Sequence, residues 1–121
     1  MGLTTLRGDI GERAAAEWLR QRGFVIEHLK WRSGRYDLDI VARRGERLHF
    51  VEVKTRRKGG LTTPEQAMTR AKFTALCHAA RAYIECYGLD MECQFDLAAV
   101  ELCDDGSCRI RYLPEAMYPR W

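Results

Sequence analysis

Apolar and polar positions follow two rhythms along this chain, one of helical period and one of strand period. Between about residues 6 and 22, Ile10, Ala14, Ala15, Trp18 and Leu19 recur at helical spacing, and Gly23 stands where such a helix should stop. Residues 24–31 read as a strand of imperfect alternation, ended by Ser33-Gly34. Residues 37–43 and 47–56 read as two more strands. The Arg44-Gly45-Glu46 link between them is short enough for a hairpin, so they should pair antiparallel. A second helix is expected to start at Thr63, with Pro64 at its first position and Gln66 completing a capping box, and to end near Tyr87 before Gly88. Residues 91–102 and 108–113 then read as strands joined through Asp104-Asp105-Gly106. The order αβββαββ predicts an α/β fold, a sheet flanked by helices.

Length and composition narrow the class. A chain of 121 residues is one domain, residues 1–121, by length. A hydrophobic share of 46% with a charged share of 31% is that of a soluble globular protein. No run of about 18 apolar residues offers a membrane span. The opening MGLTTLRGDI lacks the basic-then-apolar layout of a secretory signal, so a cytoplasmic location is expected. Cys77, Cys86, Cys93, Cys103 and Cys108 contain no CxxC pair and read as reduced thiols, with the turn residues between Cys103 and Cys108 arguing against a metal knuckle.

Charge is unevenly spread. Residues 1–72 carry 16 Lys and Arg against 9 Asp and Glu, a net of +7, whereas residues 73–121 carry 4 against 8, a net of −4. A basic part beside an acidic part suggests one face suited to a polyanion, with solvated surface charge as the plain alternative.

The richest segment is His49-Phe50-Val51-Glu52-Val53-Lys54-Thr55. In a strand, Leu48, Phe50, Glu52, Lys54 and Arg56 share one face, and His49, Val51, Val53 and Thr55 the other. A Glu and a Lys following two large apolar residues on one face need each other, a metal or a substrate. On the preceding strand, Asp37, Asp39 and Val41 should share a face opposite Leu38, Ile40 and Ala42. Asp is a poor strand former, so two of them around a leucine call for a reason. If the hairpin pairs these strands, Asp39 and Glu52 converge near one end of it. Two close carboxylates repel, and Mg²⁺ or Mn²⁺ relieves this through oxygen ligands. A neighbouring lysine can stabilise phosphate charge or help activate water.

Asp39, twelve intervening residues and Glu52-Val53-Lys54 resemble the D…ExK motif of the restriction-endonuclease-like nucleases, with both parts on adjacent predicted strands after a helix. The resemblance extends over roughly residues 8–116. Gly11-Glu12 with Ala15 and Leu19, Gly23, Arg32, Asp39-Ile40-Val41-Ala42, the run from Phe50 to Arg56, Lys72 and Phe95-Asp96 are similar to the YraN-like family of small bacterial proteins. That resemblance implies a Holliday-junction-resolvase type of nuclease core. It departs at Tyr36-Asp37-Leu38-Asp39, where the family usually shows Gly-Glu-hydrophobic-Asp: Tyr36 replaces the glycine and Asp37 the longer acid.

The expected site is therefore Asp39 and Glu52 as metal ligands for Mg²⁺ or Mn²⁺, with Lys54 at the attacking water. The resemblance adds Glu12 as an extra acid and Lys72 at the substrate phosphate. Read from the helical pattern alone, Glu12 is solvated, and Lys72 snorkels from a stripe with Met68, Leu76, Ala79 and Tyr83. Arg32, Arg35, Arg56, Arg57 and Lys58 are candidates for a phosphate track, with Arg43 and Arg44 near them. Trp18 and Trp31 read as core, Asp96 as structural, and His28, His49 and His78 have no metal-ligand spacing. The expected function is metal-dependent cleavage of nucleic acid, with DNA, branched DNA included, as the partner. The alternatives are a nucleic-acid-binding module of the same fold or a protein–protein adaptor. Resolvase-type relatives often act as dimers, so a homodimer is compatible with the resemblance.

Overall fold

A computed structural model describes residues 3–59 and 68–117. Among these, helix α1 (Leu3–Gln21) is followed by strands β1 (Val25–Ser33), β2 (Tyr36–Arg44) and β3 (Arg47–Arg57). Helix α2 (Arg70–Tyr87) and strands β4 (Glu92–Leu102) and β5 (Cys108–Met117) complete the order αβββαββ. The strands form one mixed sheet in the order β1-β2-β3-β4-β5. All neighbours are antiparallel except β3 and β4, which run parallel. Only that pair needs a crossover, and α2 lies in the connection that makes it. Among the described residues, no helix is long and apolar enough to cross a membrane.

Each face of the sheet has its own core. Ala15, Ala16 and Leu19 of α1 pack on Ile40, Ala42, Val51, Val53, Ala98 and Val100. On the other face, Leu76, Ala79, Ala80 and Tyr83 of α2 pack on Trp31, Val41, Leu48, Phe50 and Phe95. The alternation expected on β3 therefore holds: Leu48 and Phe50 face α2 while Val51 and Val53 face α1. Trp31 is buried, and Trp18 stacks on Tyr112 at a centroid distance of 4.8 Å.

The helix and strand boundaries differ from expectation where local signals compete. Thr63, Pro64 and Gln66 lie outside the described residues. The helix that follows is capped by Thr69, whose side chain accepts from the Lys72 N–H at 3.2 Å, so its start is at Arg70. Gly88 ends it as expected, in the left-handed region at φ 59°. β5 runs past Pro114 to Met117 rather than stopping at Leu113, because it is an edge strand, where proline removes no ladder bond that the sheet needs. The imperfect alternation of β1 reflects a register shift between Ile26 and His28 and a left-handed residue, Lys30, at φ 51°.

Buried Asp96 ties β3, β4 and β5 together on the α1 side. Its carboxylate accepts from His49 Nδ1 at 2.7 Å, Gln94 Nε2 at 2.8 Å, the Glu115 N–H at 2.8 Å and the Tyr112 hydroxyl. Burial would raise its pKa, but these four donors hold it below the usual carboxylate range. The turn between β4 and β5 closes with the Cys103 N–H on Ser107 O at 2.9 Å, and all five cysteines are free thiols.

Candidate active site

The site forms where β2 and β3 separate. Their ladder runs from Arg44–Arg47 only as far as Ile40–Val51, although β3 continues to Arg57 alongside β4. At the next step Asp39 takes over from the backbone: its Oδ2 accepts the Val53 N–H at 2.8 Å. A side-chain carboxylate thus satisfies a strand donor that a neighbouring carbonyl would otherwise meet.

The face expected for β2 needs correction here. Ile40 and Ala42 do face α1, but Leu38 packs with Val41 on the α2 side rather than with Ile40. The alternation breaks between Leu38 and Ile40. Across from this break, between the paired positions Leu29–Ile40 and Trp31–Leu38, stands Lys30 in its left-handed conformation. The break leaves Asp39 in the cleft between strands.

Glu52 and Lys54 stand on β3 beside it. The Lys54 ammonium is 3.6 Å from Glu52 Oε1, with both side chains mostly buried. Asp39 stands close enough for its charge to act on Glu52. Burial and then the charge of Asp39 push the Glu52 carboxyl up to about 8, against the opposing pull of Lys54. A carboxyl with that value is largely protonated at neutral pH.

α1 delivers a third acid from the opposite face. Its close approach depends on Gly11: a Cβ there would lie 1.8 Å from Thr55 Oγ1 on β3. Glu12, one residue on, is pushed up to about 7 by burial and then by the charge of Asp39, with Lys30 opposing and Asp9 and Asp37 adding smaller repulsions. Lys30 bonds Asp9 and lies 3.9 Å from Glu12 Oε2. The other oxygen, Glu12 Oε1, is buried without a hydrogen-bond partner. Glu12 is thus not the solvated helix residue that its pattern alone suggests. Lys30 is a residue that sequence reasoning missed, and the disturbed alternation of its strand was the one signal of its unusual position.

The donor set fits a hard divalent cation. Among the described residues, no group of three or more His, Cys, Asp or Glu is placed to hold a metal ion. Mg²⁺ does not need such a group, since it keeps several waters and takes one or two carboxylates. Asp39 and Glu52 supply that pair, and the orphaned Glu12 oxygen offers a further acceptor.

The remaining expected residues are dispersed. Lys72 is exposed in the first turn of α2, while Leu76, Ala79 and Tyr83 of its expected stripe are buried. Met68 precedes the helix and belongs to no stripe on it. Arg32 is exposed on β1 opposite Asp37, and the Arg35 guanidinium lies over the Tyr36 ring at 5.4 Å. Arg56 is half-buried on the same face as Lys54, and Arg57 and Lys58 at the end of β3 are exposed.

Residues 11–100 match the model of the uncharacterised protein family UPF0102. A UPF0102 protein of Porphyromonas gingivalis is 45% identical over 103 residues, 85% of this chain and 76% of that protein. One from Bacteroides thetaiotaomicron is 38% identical over 112 residues, covering 93% and 92% of the two chains. Another, from Symbiobacterium thermophilum, is 39% identical over 114 residues, covering 92% and 95%. The Gly11 crossing and the Asp39–Glu52–Lys54 cluster all lie inside the matched span, and on these likenesses the chain belongs to the UPF0102 family.

Proposed function

We propose that this protein is a metal-dependent endonuclease acting on phosphodiester bonds of nucleic acid. The observation that carries the reading is the forced proximity of Asp39 and Glu52 where β2 and β3 part, with Lys54 against Glu52. Such a pair is costly as two bare anions and favourable around a divalent cation. Mg²⁺ or Mn²⁺ bound there would polarise a phosphoryl oxygen and lower the pKa of a water. Asp39, held by the Val53 N–H, fixes the direction of one ligand oxygen. Lys54 sits within reach of the same reaction volume, where its ammonium can orient the attacking water or offset phosphate charge. Glu12 approaches from the other face as an assisting acid, and Lys72 is a candidate phosphate contact. Arg32, Arg35, Arg56, Arg57 and Lys58 supply positive charge for a backbone track. Four-way or flapped DNA is the substrate to examine first, and a homodimer would suit a two-fold junction.

A cleavage screen tests this directly. Single-stranded, duplex, flap and four-way DNA are incubated with Mg²⁺ or Mn²⁺, with Asp39→Ala as control. Metal-dependent cutting by the wild type and its loss in the variant is the expected outcome. Binding without any cutting would instead identify a nucleic-acid-binding module, and neither binding nor cutting would remove the reading.

A further inference from the structure

The β1–β2 hairpin ends in an aromatic cluster that the candidate site does not use. Its turn, Gly34-Arg35, joins the paired positions Ser33 and Tyr36. The Tyr36 ring stacks on His78 of α2, with centroids 6.3 Å apart and planes 24° from parallel. The Arg35 guanidinium lies over the Tyr36 ring at 5.4 Å. Tyr36 is half-buried against the core on the α2 side, whereas Arg35 and His78 are exposed. The cluster adjoins the cleft, because β2 has already left β3 here: their ladder ends at Ile40–Val51. Tyr36 and Leu38 share the α2 side of β2, as do Phe50 and, by alternation, Glu52 and Lys54 on β3. Three strand residues, about 10 Å, separate Tyr36 from Asp39.

We propose that Tyr36 is a specificity-determining residue: its ring stacks an unpaired nucleobase, with the Arg35 guanidinium over the base, while the same strand runs on to Asp39 and Glu52. The inference rests on the nuclease reading and names what that site selects, a base outside the double helix. A base inside a duplex lies between its neighbours and has no free face. An unpaired base offers one to an aromatic ring or a guanidinium plane, whatever its sequence. Seating a base between Tyr36 and Arg35 takes two stacking spacings, about 6.8 Å in all at about 3.4 Å each. The observed 5.4 Å is most of that gap, and an exposed arginine on a two-residue turn can open the rest. His78 holds the plane of the Tyr36 ring from α2. The span to Asp39 corresponds to about three nucleotides of one stacked strand. Tyr36 also stands where the similar YraN-like pattern has glycine, so its ring is an addition to the metal site rather than a part of it.

The test is fluorescence anisotropy in Ca²⁺ across a salt series, with three fluorescein-labelled probes of equal length: oligothymidylate, the same strand with abasic residues in place of thymidine, and a duplex. The abasic strand keeps the phosphates and lacks the bases, so it separates stacking from charge. The wild type should bind oligothymidylate about tenfold more tightly than the abasic strand, as expected for one stacked base. Tyr36→Leu keeps apolar bulk against the α2 core but has no flat face. It should lose that preference while binding the abasic strand and the duplex as the wild type does. Tyr36→Phe should keep the preference, and the salt slope should be the same in all three proteins, because no phosphate contact is removed. Should Tyr36→Leu fail to melt as a folded protein, photocrosslinking of the wild type to a strand carrying 5-iodouracil replaces it, with the adduct expected on Tyr36. Equal affinity of the wild type for the two single strands, a preference that survives in Tyr36→Leu, or adducts only on other residues would overturn the stacking proposal and leave the nuclease reading standing. If the wild type binds none of the three probes, both are overturned.

Discussion

Glu52 and Glu12 owe their raised pKa values first to burial and next to the charge of Asp39, and both effects make the folded protein a better proton acceptor than the unfolded chain. The stability they contribute is present in full below the ordinary carboxylate value of 4.5, and is lost as the pH rises through about 7 for Glu12 and about 8 for Glu52. The melting temperature of the metal-free protein should therefore fall between pH 5 and pH 8.5. Saturating Mn²⁺ should restore more of it at pH 8 than at pH 5. Asp39→Asn should flatten the pH dependence, since it removes one of the repelling charges. A melting temperature independent of pH across this range in the wild type would contradict the assignment. Asp96 behaves oppositely. Its pKa is lowered by four donors that outweigh burial, so its contribution is lost as the pH falls through its folded value. Asp96→Ala strands buried His49 and the Tyr112 hydroxyl without their acceptor, and urea denaturation should show a loss of about 3–5 kcal/mol. The structural role of Asp96 is legible from its place after Phe95. Its partners beyond Gln94 are not, because they come from β3 and β5, which only the sheet register brings beside it.

At the scale of elements, the two helical periods, the Gly45 hairpin and the face pattern of β3 follow from the sequence because local spacing and packing agree there. The start of α2 does not. The helix that ends at Tyr87 starts at Arg70 under a Thr69 cap, while the capping pattern of Thr63, Pro64 and Gln66 lies outside the described residues. The break at Leu38 is not legible either, since strict alternation along β2 assumes regular backbone, and opposite it Lys30 takes a left-handed conformation. Asp39 and Glu52 nevertheless come near each other one step beyond the last hairpin pair, Ile40–Val51, as the hairpin implies. The docking of α1 supplies a sharper test. Gly11→Ala forces a methyl group onto Thr55 Oγ1, and since backbone must move to admit it, a stability loss of about 1–3 kcal/mol is expected. Because Glu12 rides on the same turn, this variant should also lose cleavage at temperatures where it remains folded. Pairing it with Thr55→Ser, which removes the methyl but keeps the hydroxyl, should not restore stability, as the nearest clash is with the oxygen. Full stability in Gly11→Ala would mean that α1 does not cross β3 so closely.

For the molecule as a whole, the basic and acidic parts of the sequence meet along the β3–β4 seam of one sheet. β3, rich in Lys and Arg, lies against β4 in parallel, and β5 adds Arg109 and Arg111 on the far side. The nuclease reading finally depends on one property, that Asp39 and Glu52 together hold a divalent cation. Calorimetric titration of the protein with Mn²⁺ at pH 7, repeated in buffers of different ionisation enthalpy, measures both the site and the protons it releases. The account predicts a single site, release of protons because Glu52 is protonated in the metal-free protein, and severe weakening in Asp39→Asn. Mn²⁺ binding of equal strength in Asp39→Asn, or no binding by the wild type, would contradict it.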